Sequence, residues 1–164
     1  MTKENGSQVE VSFTDKQTSI FKKIISFAWA NLASAIKETL SGLALAYIRS
    51  ERIEGEFQKT RDNIAFHLYL LGSLVDDLRD VELNAPEIGD KRRLFYDRIC
   101  SNCWDEHAYA ISSTLNELSL VYICDERAAN DPQDVRESWA FHLELLNKLV
   151  ADLRDFQTEK TEDN

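Results

Sequence analysis

Only 5 glycines and 2 prolines punctuate the 164 residues. An all-β fold needs many more turns than that, so long helices are the expectation. Cysteine is scarce too, 3 in all, which fits free thiols in a reducing compartment rather than a disulfide framework. Cationic residues are outnumbered: 19 Lys and Arg stand against 29 Asp and Glu, a formal net charge of −10. A phosphate backbone is repelled on average by such a chain. The only dense basic run is Lys91-Arg92-Arg93, so nucleic acid is not an expected partner, and a basic or helical protein suits the acidity better. No basic start leads into an apolar run, so no secretory leader is expected. The longest uncharged stretches, 24–36 and 39–48, are divided by Lys37-Glu38, and each is too short to span a bilayer. These absences predict a cytoplasmic chain that does not enter a membrane.

What is present is ordinary globular material, 43% hydrophobic and 29% charged, enough for one domain with a single core. Within it the chain repeats itself. Thr39-Leu40 recurs as Thr114-Leu115, Tyr47-Ile48 as Tyr122-Ile123, and Glu51-Arg52 as Glu126-Arg127. Ala65-Phe66-His67-Leu68 recurs as Ala140-Phe141-His142-Leu143, and Asp77-Leu78-Arg79-Asp80 as Asp152-Leu153-Arg154-Asp155. All share an offset of 75 residues, and laying 20–80 on 95–155 gives 28 identities in 61 positions without a gap. Two copies of one structural unit are expected.

Each copy holds two periodic segments. In the second segment Ile64, Leu68, Leu71, Val75 and Leu78 fall on one helical face, as do Trp139, Leu143, Leu146, Val150 and Leu153. The first segment, about 19–52, is apolar over a wider arc through Trp29, Leu32, Ile36, Leu40, Leu43 and Tyr47. The predicted fold is all-α: an antiparallel four-helix bundle from two tandem copies of a helical hairpin with a pseudo-two-fold axis. Its expected parts are a polar tail over 1–16, hairpin copies over 17–82 and 92–156, a linker over 83–91 holding Pro86 and Gly89, and a polar tail over 157–164. The first helix is too long for its partner. It should bend or break near Asn31–Ser34, or project Ile20, Phe21, Ile24 and Ile25 toward a partner, most simply another copy of the chain.

Several polar residues occur in both copies. Glu51 with Arg61, and Glu126 with Arg136, stand equidistant from their turns and are expected to form hairpin ion pairs. His67 and His142 lie at the edges of their apolar stripes, where a half-buried ring with one hydrogen-bond partner is the plainest expectation. Joined to the upstream arginines, they form Arg61-x5-His67 and Arg136-x5-His142. This pairing resembles the Arg-x(4–6)-His motif of HEPN-domain ribonucleases, small helical bundles that cleave RNA without metal. The resemblance implies acid–base work by His67 and His142, with Arg61 and Arg136 stabilising phosphate charge.

Cys100, Cys103 and His107 form a C-x2-C-x3-H string, the one candidate for a metal. Their counterparts Ile25, Ala28 and Leu32 suggest core-facing positions, and Cys100 and His107 are about 10 Å apart along one helix, so a single ion reaches two of the three. A ligand cavity lined by Trp29, Tyr47, Trp104 and Tyr122 is a further possibility, but no cofactor is expected. Phe66, Leu70, Phe141 and Leu145 begin a second apolar strip on the later helix of each copy, continued by Leu74 and Val81 and by Leu149 and Phe156. An apolar strip away from the core face points to a partner. The leading expectation is therefore a non-enzymatic helical interaction or assembly module, a homo-oligomer or a subunit bound to another protein. A HEPN-like ribonuclease and a metal- or ligand-binding bundle are the alternatives.

Overall fold

A computed structural model describes residues 11–50 and 58–159. Among the described residues every regular element is helical. The α-helices are α1 (Asp15–Ile25), α2 (Trp29–Arg49), α3 (Gln58–Asn84), α4 (Ile88–Leu94), α5 (Trp104–Cys124) and α6 (Gln133–Thr158). A π-helical turn, Phe95–Ile99, prolongs α4, and a short 3-10 turn, Ala128–Asn130, precedes α6. No helix is long and apolar enough to cross a membrane among the described residues.

The long first segment breaks, and earlier than expected. α1 ends at Ile25 and α2 begins at Trp29. The Ser26 hydroxyl donates to the Lys23 carbonyl at 2.6 Å, and the Trp29 indole N–H donates to the Ile24 carbonyl at 2.8 Å. These bonds satisfy carbonyls that the broken helix leaves open. The same chemistry recurs 75 residues later: Ser101 donates to the Arg98 carbonyl at 2.8 Å and Trp104 to the Ile99 carbonyl at 2.8 Å. The shared string Ile-x-Ser-x2-Trp was the readable signal for both breaks.

Breaking lets α1 fold back onto α6. Thr14 and Gln17 form a reciprocal capping box, and the buried Gln17 amide donates to the Phe156 carbonyl at 3.0 Å. Lys16 pairs with Glu159 and Lys23 with Asp152. Phe21 and Ile24 are buried within the chain itself, each such side chain contributing about 1.5–3 kcal/mol. They therefore need no second molecule, contrary to the projecting-turn expectation. The expected N-terminal tail is also too long, since Phe13 already packs edge-on against Phe21 and Phe156. At the other end α6 runs through Thr158, so 157–158 belong to the helix rather than to a tail.

The linker is shorter than expected as well. α3 continues to Asn84 and α4 starts at Ile88, so only 85–87 lie between helices. The π-helical turn after α4 packs on α3, as α1 packs on α6. α2 packs with α3, α5 with α6, and α2 also lies along α5. Ala46 and Arg49 share a groove with Val121 and Cys124, so the C-terminal ends of α2 and α5 lie together. The large core runs through Trp29, Ile36, Leu71, Leu78, Trp104, Ile111, Leu146 and Leu153. A smaller cluster of Leu43, Tyr47, Ile64, Leu118 and Val121 closes the far end.

Candidate functional site

His67 and His142 are buried, each at 7% exposure, and each reaches the opposite half of the chain. His67 Nδ1 lies 2.6 Å from the Thr114 hydroxyl, and His142 Nδ1 lies 2.7 Å from the Thr39 hydroxyl. The bonds are reciprocal: α3 to α5, and α6 to α2. A helix places an i+3 or i+4 residue over its neighbour, so Ile64, His67 and Leu71 share the face that meets α5, and the ring must find a polar partner there. Threonine supplies it from within the apolar stripe. Thr39 also donates to the Ala35 carbonyl at 3.2 Å; with its single proton there, it accepts from His142. Burial lowers the pKa of both rings, and the charge on His107 lowers that of His67 further. Both are neutral near pH 7.

This geometry does not suit general acid–base work on a polymer. A catalytic base must come within hydrogen-bond reach of its substrate's proton, whereas each ring is buried and already engaged by a threonine. Arg61 is half-buried, and Arg136 is exposed. Glu51, and with it the first expected ion pair, lies outside the described residues. Glu126 and Arg136 form no direct ion pair among the described residues. Instead the Tyr122 hydroxyl donates to Asp131 at 2.7 Å across that turn. Burial and this hydrogen bond push the Tyr122 pKa up to about 12.

The cysteine string is core-facing only in part: Cys100 packs against the large core. Cys103 is exposed as the N-cap residue of α5, and Cys100 is half-buried. The second helix break turns Cys103 out of the core. His107 sits with its ring 5.7 Å from Phe66, edge to face. Among the described residues no group of three His, Cys, Asp or Glu side chains could hold a metal ion. Trp29 and Trp104 belong to the large core, whereas Tyr47 belongs to the smaller cluster and Tyr122 packs against it, so the four do not line one cavity.

The second apolar strip divides. Leu70 and Leu145 are buried, as are Leu74, Val81, Leu149 and Phe156. They entered the core because the folded-back helices cover them, a packing that helical periodicity alone does not reveal. Phe66 and Phe141 stay exposed, at 46% and 48%. Sequence reasoning missed the residues that cap α2 and α5. The Glu82 carboxylate accepts from the Ala30 N–H at 2.7 Å, and Gln157 accepts from the Asp105 N–H at 3.0 Å. These positions differ by 75, but Glu and Gln are not identical, so the correspondence was hidden. No protein-family model, curated protein or solved structure matches this chain.

Proposed function

We propose that the chain is a non-enzymatic interaction or assembly module, cytoplasmic, built as an antiparallel four-helix bundle from two tandem hairpin copies about a pseudo-two-fold axis. The repeat is supported by features that recur at one offset: the two tryptophan-capped breaks, the side-chain caps from Glu82 and Gln157, and the reciprocal His–Thr bonds. Three unlinked cysteines suit a reducing compartment.

One observation carries the interaction reading. Three large apolar residues are exposed at equivalent positions of both copies: Leu45 and Leu120 (49% and 52%), Ile48 and Ile123 (65% and 71%), and Phe66 and Phe141. Among the described residues Leu45, Ile48, Leu120 and Ile123 belong to neither core cluster. Clustered exposed apolar residues mark binding surfaces. The test is capture from host cells by wild-type bait and by a bait with Leu45, Ile48, Leu120 and Ile123 all changed to Glu, with native mass spectrometry of each. The reading expects an oligomer or bound protein that the quadruple variant loses. A wild-type monomer that retains nothing more than the variant does would sink it.

A further inference from the structure

The two copies differ at one face, and the difference points to a specific partner. Between α2 and α3 lies a groove of about 280 Å³ lined by Lys37, Leu40, Ser41, Ala44, Leu68, Tyr69 and Gly72. Tyr69 stands beside it at 72% exposure. In the second copy Leu115 and Leu143 keep the two leucines, but Ser119 replaces Ala44, Glu144 replaces Tyr69 and Asn147 replaces Gly72, with Asn116 for Ser41. There Glu144 binds Lys148, and the Asn147 amide donates to the Leu143 carbonyl. One hairpin thus has an ordinary solvated surface where the other has an aromatic knob beside a shallow apolar pit.

Gly72 sharpens the contrast. It lies inside α3 and a Cβ there would meet nothing within 4 Å. Mid-helix glycine costs about 1 kcal/mol relative to alanine, and nothing in the packing of the described residues requires it. Knob and pit sit on one face, about a helical turn apart: Tyr69 and Gly72 are three residues apart on α3. A two-fold contact needs this self-complementarity, because each surface must supply both halves of the fit.

Charge selects the occupant. The chain as a whole is strongly acidic, so copies repel one another over most of their surfaces. This face is balanced. Lys37 pairs with Asp76 at 2.6 Å at one end. Glu38, Ser41, Leu45, Ile48 and Arg49 are all exposed on one side of α2. Running two α2 helices antiparallel sets Glu38 of each opposite Arg49 of the other. A basic partner would find no net negative charge here to attract it.

Resting on the interaction-module reading, we propose that the α2–α3 face is a homodimer interface, with Tyr69 of each chain seated against Ser41, Ala44 and Gly72 of a second copy. The face spans roughly 18 Å of α2 and about 12 Å of α3, small for a specific interface, so monomer and dimer exchange in the micromolar range. Sedimentation velocity from low to high micromolar concentration tests it, on wild type, on Y69E/G72N and on F66E/F141E. Y69E/G72N transplants the second copy's own residues onto an exposed and a half-buried position, and far-ultraviolet circular dichroism checks that each variant remains folded. The expected result is a wild-type dimer whose Kd rises at least tenfold in Y69E/G72N and is little changed in F66E/F141E. A dimer lost in F66E/F141E but kept in Y69E/G72N overturns the α2–α3 assignment while leaving the module reading intact. A wild-type chain monomeric throughout also overturns it, and the capture experiment then decides the module reading separately.

Discussion

Gly42 of α2 and Gly72 of α3 should respond in opposite directions to the same substitution. A Cβ on Gly42 would lie 2.2 Å from Trp139 Cη2 and 2.6 Å from Cζ2, whereas Gly72 has open space. Both are helical, so Gly→Ala contributes about 1 kcal/mol of helix propensity at each. That term cancels in the comparison. What remains is the clash at Gly42, where ordinary carbon contact would require the indole to retreat by more than an ångström. The indole is not free to do so cheaply. Tyr122 lies against it with centroids 4.4 Å apart and planes 33° apart, and Tyr122 is itself tied to Asp131. Overpacking of this kind costs about 1–3 kcal/mol. G72A should therefore be more stable than wild type by up to about 1 kcal/mol, and G42A should lie about 1–3 kcal/mol below G72A. In a chain of this size each kcal/mol moves Tm by about 2–4 °C. Urea unfolding followed at 222 nm, at concentrations low enough to keep the chain monomeric, measures both. Trp139→Leu should abolish most of the difference by removing the ring, which a double-mutant cycle would read as coupling. If G42A gains as much as G72A, the close approach of α2 to α6 is not as described.

Acid should weaken the fold through the paired histidines. Their folded pKa values lie below the usual value, so the unfolded chain binds protons more readily, and stability falls as pH drops from about 6.5 through the folded pKa values. H67Q/H142Q should flatten urea midpoints measured between pH 7.5 and about 5, and an unaltered slope would refute this origin. Thr39→Val or Thr114→Val strands a buried ring nitrogen and should cost about 1–3 kcal/mol each, read by the same unfolding assay; a cost near zero would mean the His–Thr bonds are not the junction. Replacing Trp29 or Trp104 by Phe removes the indole donor from the carbonyl of Ile24 or Ile99 and should cost about 1 kcal/mol or more. Faster amide exchange at the adjoining break, α1 for Trp29 and the π-helical turn for Trp104, would localise it, whereas unchanged protection would argue against the capping role.

The sequence by itself determined the helical class. Few glycines and prolines, period-3.6 apolar stripes and the internal identities left helices as the consistent reading, because local periodicity and turn chemistry act over a few residues. It also marked His67 and His142 as repeated, stripe-edge residues. Only the tertiary structure decided what faces them. Thr39 and Thr114 lie more than 40 residues from their partners, and no local rule pairs a stripe threonine with a distant ring. The same holds for the second apolar strip. Leu70 and Leu145 face away from the main stripe, yet they are buried, because α1 folds back onto α6 and the segment after α4 onto α3. Burial is a property of what packs on a face, and that was set by two helix breaks whose tryptophan caps act through bonds the periodicity does not encode. Phe66 and Phe141 belong to the same strip yet stay exposed, at 46% and 48%.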